Sequence, residues 1–274
     1  MDLTIQPDRR GPRAPASPES LLREGMLDPE LAALLSLLVE ARVPLTVAGE
    51  CDPEIRADVL DALLESLPAG TRRIPLAGPT EDFSWLPEAE ALGWRADGPT
   101  PGRPAPEPAT AEDTVILAGD LTGHGMLPPW AGVVRIAARA VSLGYGLAGS
   151  IGAGSLDEVL DRLRTPPYRL TEDELSRLGV VLVLSAGPHG DGVPPRIVAA
   201  HYLRPVARDM HGHVQRLGPA VLATGDPVTG RFEHFAWGVT PELALRAGRR
   251  AGDFEIELER RREKLTAPLP GGAR

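Results

Sequence analysis

Lysine is almost missing from this 274-residue chain: of 29 basic residues only Lys264 is lysine and the rest are arginine. Any mechanism that needs a lysine ammonium elsewhere is excluded. Cysteine is equally scarce, with Cys51 alone, so no intrachain disulfide can form. The opening Met1-Asp2-Leu3-Thr4-Ile5 has neither a basic stretch nor an apolar one, which leads to the expectation of a cytoplasmic address. Long apolar runs are lacking too. The charge-free stretch of residues 140–156 carries five glycines and is shorter than the roughly 20 residues that cross a bilayer. Positive charge is in deficit, with a formal net charge of −9, so bulk attraction to nucleic acid or to an anionic membrane is not expected.

What is present describes a folded α/β protein. With 42% apolar and 24% charged residues, the chain can bury about three quarters of its unfolded surface as one large domain. Glycine and proline concentrate near residues 1–18 and 97–108. The expected organisation is a flexible tail over 1–17, a domain over 18–265 with a Pro-rich insert near 97–109, and a second flexible tail over 266–274.

Along the domain, Ser17-Pro18-Glu19-Ser20 starts a short helix, and Asp28-Pro29-Glu30 starts a second whose Leu31, Leu34, Leu35 and Leu38 share a face. Residues 43–48 form a continuous apolar run ending at Gly49, as expected of a strand covered on both sides. A helix is expected over 58–67 and strands over 72–77, 114–118, 147–151 and 180–184. Helices over 133–143 and 155–164 lie between the later ones. This alternation predicts a mainly parallel sheet with helices on both faces. From residue 196 the pattern changes to strands over 196–203, 220–224 and 231–237 with turns between them, an antiparallel extension. A helix from Thr240-Pro241-Glu242, an interruption at Gly248 to Gly252 and an arginine-rich helix to Leu265 close the chain.

In an open α/β sheet, ligands bind beyond the carboxyl ends of the strands, and a helix N-terminus after the first strand is the natural phosphate site. The turn here is Gly49-Glu50-Cys51-Asp52-Pro53-Glu54-Ile55-Arg56. A phosphate loop uses a second glycine, a lysine and a Ser/Thr hydroxyl at its last three positions. Glu54, Ile55 and Arg56 stand there instead. Glu50, Asp52 and Glu54 would face a polyanion, Pro53 removes a donor, and Arg56 supplies the one positive charge.

The order of these segments, over roughly residues 17–265, resembles the RecA-like motor domain of the type II/type IV secretion and pilus-assembly ATPases. The lead-in helix, first strand, Walker A turn and following helix look like residues 31–42, 43–48, 49–56 and 58–68. Glu81 in Ala77-Gly78-Pro79-Thr80-Glu81-Asp82 falls at the family's acidic position, and Val115-Ile116-Leu117-Ala118-Gly119-Asp120 is similar to its Walker B segment. Asp120 shortens the expected carboxylate, Thr122 stands where an arginine would be, and Gly152 takes the place of the family's histidine in Ser150-Ile151-Gly152-Ala153-Gly154-Ser155. With few residues before Ser17, the family's separate N-terminal domain is expected to be missing. The resemblance implies a RecA-like P-loop NTPase fold in which Gly49 and Arg56 are remnants of a phosphate loop and Asp120 and Glu81 are relics of catalytic positions.

The resulting expectation is a noncatalytic subunit or regulator of a type II/IV secretion or type IV pilus machine, with no cofactor and no metal. Its partner would be an active relative or the secretion machinery, in a homo- or hetero-oligomeric ring peripheral to the inner face of the membrane. The alternative is an active motor that binds ATP and magnesium through Arg56, Asp120 and Glu81. Three smaller features have two readings each. Glu81-Asp82 is an acid/base pair or a solvated loop pair, His211-Gly212-His213 is a metal-ligand pair or a turn, and Cys51 is a reactive or an inert thiol.

Overall fold

The computed structural model describes residues 17–95, 106–123, 128–185, 195–208, 210–211 and 213–266. The tail over 1–16, most of the Pro-rich insert and the tail from 267 lie outside the described residues, as does Gly212. Helix α1 spans Pro18–Arg23, capped by Ser17 and Ser20 in a reciprocal box, and α2 spans Pro29–Glu40, capped by the Asp28 carboxylate. The chain continues through β1 Leu45–Gly49, α3 Pro53–Leu64, β2 Arg72–Pro75, β3 Thr114–Asp120, α4 Pro128–Ala140, β4 Gly146–Ile151, α5 Leu156–Arg164, α6 Glu172–Ser176 and β5 Val180–Leu184. It closes with β6 Ile197–Tyr202, β7 Ala207–Arg208, β8 Val214–Gln215, β9 Ala220–Gly225, β10 Phe232–His234, α7 Thr240–Arg246 and α8 Ala251–Thr266.

Eight strands form one sheet in the order β10-β9-β6-β5-β1-β4-β3-β2. The five strands from β5 to β2 run parallel, and β6, β9 and β10 extend the sheet antiparallel. This is the expected fold class, a mainly parallel α/β sheet with helices on both faces and an antiparallel C-terminal extension. Period-two alternation divides the core. Leu45 and Val47 of β1 and Val180, Leu182 and Leu184 of β5 face the layer that holds α2, α3 and Phe254 of α8. Ala48, Val181 and Val183 face the opposite layer, with Trp130 of α4, Val159 and Leu163 of α5 and the Phe83–Trp85 segment.

Several boundaries differ from expectation. Helix α3 begins at Pro53, five residues early, because Asp52 caps it and proline fits its first turn. The strand expected over 231–237 stops at His234, and Ala236–Val239 form a 3₁₀ turn that leads into α7. Helix α6, with a Thr171/Glu174 capping box, and the short β7–β8 hairpin were not foreseen. Both are too short for periodicity to show.

The functional consequence lies in the registers. Ala48 of β1 pairs with Ile151 of β4, and Asp120 of β3 pairs with Ser150. The carboxyl ends of β1, β4 and β3 therefore finish side by side and open one crevice, into which the β1–α3 turn, Asp120 and Gly152 all project.

Candidate ligand crevice

The turn from β1 to α3 is three residues long, Glu50 to Asp52. It follows Gly49, whose missing side chain is required by packing: a Cβ there would lie 2.9 Å from the Leu184 Cβ of β5 and 3.1 Å from Cys51 Sγ. The Asp52 carboxylate accepts the Glu54 N–H at 2.9 Å, while the Ile55 and Arg56 N–H groups donate to the Asp52 carbonyl. Pro53 has no N–H to offer. The donors that would cradle an anion at this helix start are thus absent or taken by the chain itself, and Glu50, Asp52 and Glu54 are exposed around it.

Arg56, one turn into α3, is buried at 4% exposure. One guanidinium nitrogen donates to the Gly49 carbonyl at 3.0 Å and the Cys51 carbonyl at 2.5 Å, and the other donates to Asp120 Oδ2 at 2.8 Å. Asp120 is saturated from its other side, where Oδ1 accepts the Thr122 N–H at 2.9 Å and the Thr122 hydroxyl at 3.1 Å. Gly152, at the end of β4, faces this pair. A Cβ there would lie 3.7 Å from Arg56 and 3.9 Å from Arg162 of α5. Arg162 is held by Glu158, whose carboxylate also accepts the Gly154 N–H at 2.8 Å. The Gly154 bond first, and Arg162 second, hold the Glu158 carboxyl below its ordinary range. Sequence reading singled out neither Glu158 nor Arg162, although their four-residue spacing on a helix is an ion-pair signal.

The structure brings Gly49, Arg56, Asp120 and Gly152 together and gives Glu81 a different task. Glu81 is buried, and its carboxylate accepts the Ala77 N–H at 2.8 Å, the Phe83 N–H at 2.8 Å and the Trp85 indole N–H at 3.1 Å. The solvated-loop reading fails for Glu81, because three donors of a tight loop converge on it and draw it inward. Asp82 caps the next turn, accepting from the Ser84 N–H and hydroxyl. Among the described residues no hydrogen bond or ion pair joins Glu81 to Asp120 or Arg56. At Cys51, burial raises the thiol above its ordinary range, which disfavours the reactive thiolate. His211 and His213 lie in the segment between β7 and β8, their ring centroids 6.1 Å apart, and no group of three or more metal-ligating side chains occurs among the described residues.

The residues at this crevice do not fit a magnesium nucleotide. The helix start presents three carboxylates and no lysine, the Asp52 carboxylate occupies the first free donor, and the carboxylate that would face a metal is bound to a guanidinium. As it stands, the arrangement fastens the β1–α3 turn to the end of β3 through Arg56.

No family model matches this chain, and no curated protein matches it. Among solved structures, the VirB11 ATPase from the Brucella suis type IV secretion system, crystallised in complex with sulphate, is similar with a TM-score of 0.40 and 18% sequence identity. The similarity covers 70% of this chain and 60% of that one, so the chain spans less than two thirds of that neighbour's length. No helix among the described residues is long and apolar enough to cross a membrane.

Proposed function

We propose that this α/β domain is a noncatalytic, secretion-ATPase-like subunit or regulator that works through protein contacts and neither binds nor hydrolyses ATP. The observation that carries the reading is the Arg56–Asp120 ion pair at 2.8 Å, which engages two of the three residues an unconventional ATP site would use. The order of segments along the sequence supports the kinship, and the self-capped helix start supports the loss of phosphate binding. In this reading Gly49, Arg56, Asp120 and Glu81 are relic positions put to structural use, and the partner is an active relative or another component of a secretion or pilus machine. A mixed ring beside the membrane is the assembly such a subunit would join.

The test is a thermal melt and calorimetric titration of the purified chain with magnesium-ATP. A ligand with a Kd of about 10 μM at about 1 mM would add roughly 2.7 kcal/mol. That would raise the Tm of a chain of this size by about 5–10 °C. The expected result is no shift and no heat of binding. A clear upward shift would restore the active-motor alternative.

A further inference from the structure

The acceptors around Arg56 are all oxygens and come from two separate parts of the chain: the Gly49 and Cys51 carbonyls from the β1–α3 turn, and the Asp120 carboxylate from the end of β3. A converging, oxygen-only set of carbonyls and a carboxylate is the chemistry that hard divalent cations prefer. Here the positive charge is supplied from within the chain, on a side chain that is almost wholly buried. We propose that Arg56 is the resident cation of an oxygen-lined cation site, and that its guanidinium locks the β1–α3 turn to the end of β3 without any external ligand. The proposal rests on the reading above only in that the crevice takes no nucleotide.

Three further details agree with it. Asp120 belongs to β3, which is separated from β1 by β4, so no ladder hydrogen bond ties it to the turn and the guanidinium is the direct link. Thr122 orients the carboxylate by occupying Oδ1, which leaves Oδ2 for Arg56. Gly152 adds no side chain beside the guanidinium, where a Cβ would sit in ordinary contact at 3.7 Å. A lysine could carry the charge but not the fork: an ammonium is a single point and cannot meet two carbonyls and a carboxylate as a planar guanidinium does.

The consequence is a crevice whose shape is set once, on folding, rather than by ligand binding. A chain of this kind would present a partner with one fixed arrangement of these strand ends.

The experiment compares the full wild-type chain with Arg56→Lys, Arg56→Ala, Asp120→Asn and the double variant Arg56→Ala/Asp120→Asn, by amide hydrogen exchange and thermal melting, with and without about 10 mM calcium chloride, an excess chosen for a weak oxygen site. Breaking a buried pair should lower the Tm by roughly 6–15 °C in Arg56→Ala and by less in Arg56→Lys. Exchange should speed up in both the 49–56 and the 118–122 segments in every variant, whichever partner is altered. Calcium should restore part of the Tm of Arg56→Ala, and should leave the wild type and the double variant unchanged. If Arg56→Ala does not fold, Arg56→Lys and Asp120→Asn still decide the lock: Asp120→Asn must loosen 49–56, and Arg56→Lys must loosen 118–122.

Exchange changes confined to the altered segment overturn the lock. A calcium-induced shift of the wild type, or a folded Arg56→Ala that calcium leaves unchanged, overturns the assignment of Arg56 as the resident cation. None of these measurements uses nucleotide, so their failure leaves the noncatalytic reading standing, while ATP binding by the wild type overturns that reading and not the measured coupling.

Discussion

His234 Nε2 lies 2.8 Å from Asp28 Oδ2, a contact that joins the edge strand β10 to the cap of α2 across most of the chain. The same Asp28 carboxylate uses Oδ1 to accept the Leu31 N–H at 2.9 Å, so one side chain both starts a core helix and anchors the sheet edge. Glu30 also faces the imidazole, and Arg262 of α8 opposes its protonation. The Asp28 hydrogen bond is the main cause that raises the His234 pKa above its ordinary value. Burial would raise the Asp28 pKa, but the His234 and Leu31 hydrogen bonds outweigh it and lower it.

The pH dependence follows from these directions. His234, with a raised folded pKa, contributes stability that is complete below its unfolded pKa of about 6.5 and is lost as pH rises through the folded value. Asp28, with a lowered pKa, contributes stability that is complete above about 3.9 and is lost as pH falls through its folded value. The pair should therefore stabilise most between about pH 4 and pH 6.5. His234→Gln should remove roughly 1–2 kcal/mol at pH 5.5 and much less at pH 9, an estimate for one charge-assisted bond. Denaturant melts at the two pH values would show an equal loss at both if the contact does not titrate.

At Gly49, an alanine would set its Cβ against Leu184 at 2.9 Å. Gly49→Ala should cost about 1–3 kcal/mol by overpacking. Leu184→Ala alone should cost about 2–5 kcal/mol. The double variant should lose about the sum, because alanine keeps the Leu184 Cβ that the new methyl meets. A loss well below the sum in urea melts would place the strain of Gly49→Ala against the outer carbons of Leu184 rather than its Cβ.

Glu81 holds two buried donors, the Phe83 N–H and the Trp85 indole N–H, and the part-buried Ala77 N–H, so Glu81→Ala should destabilise by roughly 2 kcal/mol or more, at about 1–3 kcal/mol for each buried group left unpaired. Glu81→Gln keeps an acceptor oxygen and should cost less. Faster amide exchange over residues 77–85 would report the loosened loop. Unchanged exchange and Tm in Glu81→Ala would show that the carboxylate is free for another task.

Asp52 caps α3, and Asp52→Ala should cost about 0.5–2 kcal/mol, whereas Asp52→Asn should be close to neutral because the amide oxygen can accept the same N–H. A thermal melt of the two variants tests this. Equal losses would mean that the negative charge beside the helix dipole, rather than the hydrogen bond, is what stabilises the start of α3.

Much of the architecture was legible along the chain. Strands β1 and β5 are continuous apolar runs, the leucines of α2 recur at helical spacing, and the alternation of strand and helix followed by successive strands separated the parallel part of the sheet from its antiparallel extension. These signals are local and repeat along an element, so one sequence suffices to read them. The lack of any lysine but Lys264, and the carboxylates of Glu50, Asp52 and Glu54 around the start of α3, could likewise be read directly, because charge and donor count belong to residue types rather than to positions in space.

What only the tertiary structure decided is where side chains find partners far along the chain. Arg56 could be counted as a stray positive charge near a phosphate site, but its pairing with Asp120 depends on β4 lying between β1 and β3 and on the registers that bring their ends level. The three donors that the turn at residues 77–85 aims at Glu81, and the packing of Gly49 against Leu184, likewise leave no local pattern along the chain. Composition and periodicity specify which faces are buried, whereas the partner of a buried polar group is set by the meeting of elements distant in sequence, and that meeting is a property of the whole fold.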